Sequence, residues 1–158
     1  MLAVADGNTW LTSRGKKSNF SIRETCCRCG CGEDEIDIRL IDGLQELRDR
    51  VKTPISITCA TRCKAHNKEV GGAPKSNHLT ITTAADIYVN PKEYRFAEFY
   101  VEACLIFKGV GLYKATPNFL HVDIRDVPIY WYRDAKGKYV YNKDYAENWK
   151  HFKIKMEV

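Results

Sequence analysis

Apolar residues recur at Leu40, Leu44, Leu47 and Val51, a spacing of i, i+4, i+7 and i+11 that predicts an amphipathic helix. The acidic run Glu33-Asp34-Glu35 precedes it, where the helix dipole favours negative charge, and Pro54 follows its end. Gly43 inside the stripe weakens it slightly. Ile55-Ser56-Ile57-Thr58 alternates and is β-branched, which predicts a strand. Arg62 to Val70 reads as a short helix stopped by Gly71-Gly72. Leu79 to Val89 is Thr-, Ile- and Ala-rich and extended, with a strand near 85–89. Pro91 opens a second helix with Phe96, Tyr100, Ala103 and Phe107 on one face. Gly109 and Gly111 flank a turn into Leu112–Tyr113, and Phe119–Ile124 is a further strand. Ile129–Tyr132 and Lys138–Tyr141 read as a hairpin, while 142–158 carry no clear pattern.

Helices and antiparallel-looking strands mix without a regular βαβ alternation. The expectation is a single α+β domain, with a small antiparallel sheet packed with helices. Residues 1–19 are polar and read as a tail or loosely docked N-terminal arm. Residues 20–127 form the main domain, and 128–158 a C-terminal hairpin and tail packed on it.

The 158 residues suffice for one real core, and 44% apolar with 28% charged residues is ordinary for a globular chain. No run approaches the roughly 18 apolar residues of a membrane span, so no membrane insertion is expected. The N-terminus lacks the basic start and apolar stretch of a Sec signal peptide, so synthesis in a cytoplasm and exit by another route are expected. A net charge of +5 suits an anionic surface such as cell-wall polymer. Tyr, Trp and Lys mix between Tyr130 and Lys155, but Asp134, Asp144, Glu147 and Glu157 lie in or beside that stretch, which argues against nucleic acid.

Seven cysteines are many for this length. Four lie in Cys26-Cys27-Arg28-Cys29-Gly30-Cys31, with Cys59, Cys63 and Cys104 apart. An odd count argues against a fully paired framework. Three readings stay open: reduced structural thiols, a disulfide from the cluster to Cys59 or Cys63, or a second metal. The C-x-C spacing departs from the usual C-x2-C knuckle.

The candidate chemistry lies in two separated stretches, Ser76-Asn77-His78 with Ala84-Ala85-Asp86, and Phe119-Leu120-His121-Val122-Asp123. Two histidines and a carboxylate are a ligand set for catalytic zinc, which acidifies a water from a pKa of roughly 16 toward about 7. On a strand His121 and Asp123 face the same side. Asp123 then acts as a general base or orients a histidine from behind. Spacing alone also allows a plain surface histidine and an Asp–His ion pair.

Further fragments run in order along the chain: Cys29-Gly30-Cys31-Gly32, Leu44-Gln45-Glu46-Leu47-Arg48, Ile55-Ser56-Ile57-Thr58, Arg62-Cys63-Lys64-Ala65-His66-Asn67, Val70-Gly71-Gly72-Ala73-Pro74, Ser76-Asn77-His78-Leu79, Ala84-Ala85-Asp86-Ile87 and Phe119 to Arg125. Together, residues 26–125 resemble the zinc D-alanyl-D-alanine carboxypeptidase family of metallopeptidases, in particular its short phage-type members. The resemblance implies a zinc DD-peptidase (hedgehog-like) fold and Zn2+ held by His78, Asp86 and His121. It implies that Arg62 binds a substrate carboxylate, with Ser76 lining the same pocket. The implied substrate is a peptide of bacterial peptidoglycan, cut next to D-alanine either at a terminus or within a cross-link. The implied setting is a phage or prophage lysis or entry protein, acting at the cell wall as a monomer. A catalytically impaired module that binds wall peptide or a virion partner is the alternative.

Two departures from that family matter. Its usual pattern S-x-H-x-x-G-x-A-x-D puts Asp seven positions after His, whereas Asp86 lies eight after His78 and no glycine intervenes. A bulge or longer loop would absorb the extra residue. Many members carry an acid three residues before the last His, where this chain has Asn118. The proton-accepting role is therefore expected at Asp123. Cys59 and Cys63 flank the Arg62 turn and are given no catalytic role, and His66 reads as an exposed helix residue.

Overall fold

A computed structural model describes residues 1–116 and 118–154. Strands β1 (Ala5–Asp6), β2 (Thr9–Leu11) and β3 (Lys17–Ser21) come first, then a single turn α1 (Ile22–Thr25) and the long helix α2 (Ile38–Val51). β4 (Ile55–Cys59), α3 (Lys64–Glu69), β5 (Ala84–Val89) and α4 (Phe96–Ile106) follow. The chain ends with β6 (Gly109–Tyr113), β7 (Phe119–Asp123), β8 (Ile129–Arg133), β9 (Tyr139–Asn142) and α5 (Tyr145–Ile154). The α+β expectation holds, in a main sheet of order β4-β5-β7-β6-β8-β9. That sheet is mixed: β6 pairs with β8 in parallel, and every other neighbour is antiparallel.

Alternation divides the two faces of the sheet. Ala85, Ile87 and Val89 of β5, Leu120 and Val122 of β7, and Val110 and Leu112 of β6 join one buried cluster with Leu40, Leu44 and Leu47 of α2 and Phe99, Tyr100 and Ala103 of α4. Tyr130 and Tyr132 of β8 carry this face to α5, where they meet Tyr145 and Phe152. The opposite face bears Asp86, His121, Asp123, Gly109 and Gly111. Burying the apolar rows under helices thus leaves a polar row in a fixed register.

Several expectations change. The first residues are no loose arm. β1–β3 form a three-stranded sheet whose Trp10 and Phe20 are buried, and the Trp10 indole N–H donates to Thr25 Oγ1 at 2.8 Å. Polar composition concealed this, because only alternate residues of these short strands face inward. Helix α2 starts after Asp37 rather than at the acidic run. The Asp37 carboxylate accepts from the Arg39 N–H and caps the helix. Helix α4 begins at Phe96, not at Pro91.

Gly109 and Gly111, read as flanking a turn into Leu112–Tyr113, lie within a central strand, Gly109–Tyr113. Its glycines answer to close approach: a Cβ on Gly111 would lie 2.1 Å from the Trp131 ring, and one on Gly109 would lie 2.2 Å from the Asp123 carboxylate. Residues 142–144 lead into α5, whose side chains cover the end of the core. Among the described residues no helix is long and apolar enough to cross a membrane.

Candidate metal centre

One row of directly opposed residues runs across the sheet: Cys59 on β4, Asp86 on β5, His121 on β7, Gly111 on β6, Trp131 on β8 and Tyr141 on β9. Direct partners point to the same face, so backbone pairing alone brings Cys59, Asp86 and His121 side by side. His121 Nδ1 lies 3.1 Å from Asp86 Oδ1. Gly111 leaves room for the Trp131 ring to lie 5.5 Å from the His121 ring.

His78 arrives from the loop before β5. Its Nδ1 lies 2.6 Å from the Ala60 carbonyl oxygen, which can only accept, so Nδ1 carries the proton. Nε2 is left to face Asp86 Oδ2 at 3.6 Å. The His78 carbonyl accepts from the Arg62 N–H and from Thr82 Oγ1, which ties the loop to the β4–α3 turn. Thr80 in this loop takes a left-handed φ of 59°, β5 begins only at Ala84, and Asp86 stands opposite His121 on the polar face. A register shift in β4 between Ile57 and Cys59 puts Cys59, rather than Thr58, opposite Asp86.

Asp123 lies two residues along the same face from His121. His121 Nε2 is 3.1 Å from Asp123 Oδ2, and the carboxylate also accepts from the Arg125 guanidinium, with Nε at 2.6 Å from Oδ1. The Arg125 backbone N–H donates to Oδ1 as well. Asp123 is fully buried, and both of its oxygens are engaged. Its carboxylate therefore sits behind His121, on the ring nitrogen that does not face Asp86.

Charge in this cluster follows from burial and pairing. Burial would raise the carboxyl of Asp86, but the two histidines outweigh it and hold it far below the ordinary range. Burial likewise opposes ionisation of Asp123, and Arg125 and His121 outweigh it. Burial disfavours a charged His121, yet hydrogen bonds to Asp123 and Asp86 raise its pKa to about 9. His78 is raised too, against burial, by Asp86 and Cys59. The nest therefore favours protonated histidines.

The donor set fits zinc. Bonds of about 2.0–2.1 Å in tetrahedral array place neighbouring ligand atoms about 3.3 Å apart. The separations of 3.1 and 3.6 Å lie near that value but run to different oxygens of Asp86, and the ligand atoms within 4.8 Å of one another are those of Cys59, His78 and Asp86, without His121. The structure adds a candidate that sequence reasoning set aside: Cys59 Sγ, a His78 ring nitrogen and an Asp86 oxygen all lie within 4.8 Å of one another. Only the β4 bulge puts it there, and a bulge leaves no mark in the residue pattern.

Arg62 is partly buried beside the centre, and its Nε has no hydrogen-bond partner among the described residues. A buried guanidinium N–H without an acceptor is costly, which suits a site that an anionic group fills. Ser76 Oγ accepts from the His78 N–H at 3.3 Å, at the entrance loop. A cleft of about 450 Å³ has Asp86 in its wall together with Tyr113, Phe119 and Arg133. Tyr113 packs edge-on against Trp131 at 5.2 Å. Trp131 and Tyr113, which sequence analysis did not single out, thus flank the centre.

All seven cysteines are free thiols. Cys27, Cys29, Cys31 and Cys63 gather at the start of α3, away from the row on the sheet, and Cys104 is buried on α4.

No curated protein matches the chain. The family model described as Peptidase M15 matches residues 16–123, which cover the whole row from Cys59 to His121 and the His78 loop. With more than half its length matched, the chain belongs to the Peptidase M15 family, whose members are typically zinc-dependent metallopeptidases.

Proposed function

We propose that this protein is a zinc-dependent peptidase that hydrolyses a peptide bond next to D-alanine in bacterial peptidoglycan, as a phage or prophage lysis or entry protein. The observation that carries the reading is the convergence of His78 Nε2 and His121 Nδ1 on the Asp86 carboxylate, beside an Arg62 Nε that has no partner among the described residues. His78, Asp86 and His121 would hold the ion. Zinc bound there supplies Lewis acidity and an acidified water to hydrolysis.

The chain's own groups set the rest. The Ala60 carbonyl holds the proton of His78 on Nδ1, and Asp123 holds that of His121 on Nε2, so each ring turns its other nitrogen toward Asp86. With both oxygens engaged, Asp123 acts in this reading as a positioning residue rather than as the proton acceptor. Arg62 pairs with the substrate's terminal or side-chain carboxylate, and Ser76 hydrogen-bonds the peptide at the rim. Trp131 and Tyr113 exclude water on the far side. The net charge of +5 favours approach to anionic wall polymer.

A second reading keeps the fold without turnover: a module that binds wall peptides or a virion partner. Asn118 and the engagement of Asp123 favour it, since neither offers a free carboxylate for proton transfer. Incubating the zinc-loaded protein with purified muropeptides and separating the products decides between them. Release of D-alanine or cleavage of a cross-link, lost in His121→Ala, supports the peptidase. Saturable binding of intact muropeptides with no product overturns it in favour of the module.

A further inference from the structure

The cysteines at the start of α3 take no part in the centre on the sheet, yet their arrangement is specific. The Sγ atoms of Cys27, Cys29, Cys31 and Cys63 all lie within 4.8 Å of one another, although Cys63 is far from the other three in sequence. Cys27 and Cys29 are 3.4 Å apart, and Cys29 and Cys63 are 3.6 Å apart. A disulfide needs about 2.05 Å, so no pair is joined. Four thiolates around zinc at about 2.3 Å would lie about 3.8 Å apart along each tetrahedral edge. These two pairs stand close to that spacing, and the remaining sulfurs lie within 4.8 Å.

The local backbone is shaped to this end. Gly30 and Gly32 adopt φ of 79° and 83°, a left-handed conformation that glycine takes without steric cost. They follow Cys29 and Cys31 and turn the chain after each, so that the closely spaced cysteines face one another, Cys27 and Cys63 buried and Cys29 and Cys31 at the surface. The Cys63 N–H donates to Cys27 Sγ at 3.3 Å, and the His66 N–H donates to Cys63 Sγ at 3.3 Å. Such N–H groups stabilise sulfur that carries negative charge. The His66 ring lies 3.4 Å from Cys27 Sγ through Nδ1, placed as an outer partner of the same sulfur.

We propose that Cys27, Cys29, Cys31 and Cys63 form a second, structural site for a thiolate-preferring divalent cation, zinc foremost. Each thiol gives up its proton to solvent as its sulfur–metal bond forms, and no electron is transferred. Four protein ligands close the coordination shell, which leaves no position for a reacting water. The ion would clip the 26–32 loop to the turn that presents Arg62, the residue before Cys63. This site shares no residue with the one on the sheet, so either can fail without the other.

The test is metal counting on the full chain, purified under reducing conditions, by inductively coupled plasma mass spectrometry. Two ions per wild-type chain are expected, with one in Cys29→Ser/Cys31→Ser and one in His78→Ala/His121→Ala. Two ions retained in the cysteine variant would overturn the proposal, as would a wild-type chain whose whole metal content disappears with the histidines. A second measurement avoids reliance on a folded variant: cobalt added to metal-free His78→Ala/His121→Ala should give a near-ultraviolet sulfur-to-metal charge-transfer band with tetrahedral d–d bands. Absence of the charge-transfer band, or a mass 2 Da low under non-reducing conditions that shows a cysteine pair instead, would also overturn it.

Discussion

His121 stands directly opposite Asp86 across the β5–β7 pair, and its other ring nitrogen is held by Asp123 two residues further along its own strand. One imidazole is thus fixed between two carboxylates with different duties. The inner one faces the candidate ion. The outer one, braced by Arg125, sets the ring's orientation and tautomer.

That division makes Asp123→Asn informative. An amide can turn an NH2 toward Nε2 and favour the wrong tautomer. We expect zinc affinity to fall about 10- to 100-fold, with activity falling in step. Competition with a fluorescent chelator checks this. A variant that binds zinc normally but has lost its rate would instead make Asp123 the proton acceptor.

Protonation of His121 links the fold to pH. Its pKa of about 9 in the metal-free chain lies above the roughly 6.5 of an unfolded histidine. The stability this confers is fully present below about pH 6.5 and is lost as pH rises through about 9. In chelator-treated protein, the advantage of wild type over His121→Gln should therefore shrink between pH 6 and pH 9.5, by on the order of 2–3 kcal/mol. Urea denaturation at several pH values reads it. A difference that stays constant with pH would show that His121 holds no extra proton.

Gly111→Ala tests the aromatic wall. The new methyl would meet the Trp131 ring at 2.1 Å, and the ring has Tyr113 and Tyr139 packed against it. Overpacking of this kind costs roughly 1–3 kcal/mol. A lower melting temperature together with a changed tryptophan emission spectrum is expected. An unchanged spectrum would mean that Trp131 does not lie over Gly111.

Arg62→Lys keeps the charge but loses the planar fork. If Arg62 grips a carboxylate, kcat/KM toward muropeptides should fall roughly 10- to 100-fold, as expected for a lost charged hydrogen bond, with zinc content unchanged. Steady-state kinetics and metal analysis on the same sample check both halves. Wild-type kinetics would remove Arg62 from the substrate site.

Much of this architecture was legible along the chain. The apolar period of α2, the alternation of β4 and the β7 pattern around His121 follow from elementary burial, because a helix or strand must hide one face whatever its partners. The candidate ligands His78, Asp86 and His121 came from the family resemblance, since spacing alone also allowed a surface histidine and an Asp–His ion pair. Gly109 and Gly111 misled: their small size usually signals a turn, but here it makes room for Asp123 and Trp131, which are supplied by other strands. The strands at 5–21 were hidden by their polar outer faces. What only the tertiary structure decided is register and proximity. The β4 bulge that brings Cys59 to Asp86, the loop between His78 and β5, the commitment of Asp123 to Arg125 and the meeting of Cys63 with the 27–31 cluster all depend on contacts between distant segments. Local propensity carries no information about such contacts, because the energy that selects them arises only when the sheet and its covering helices close together.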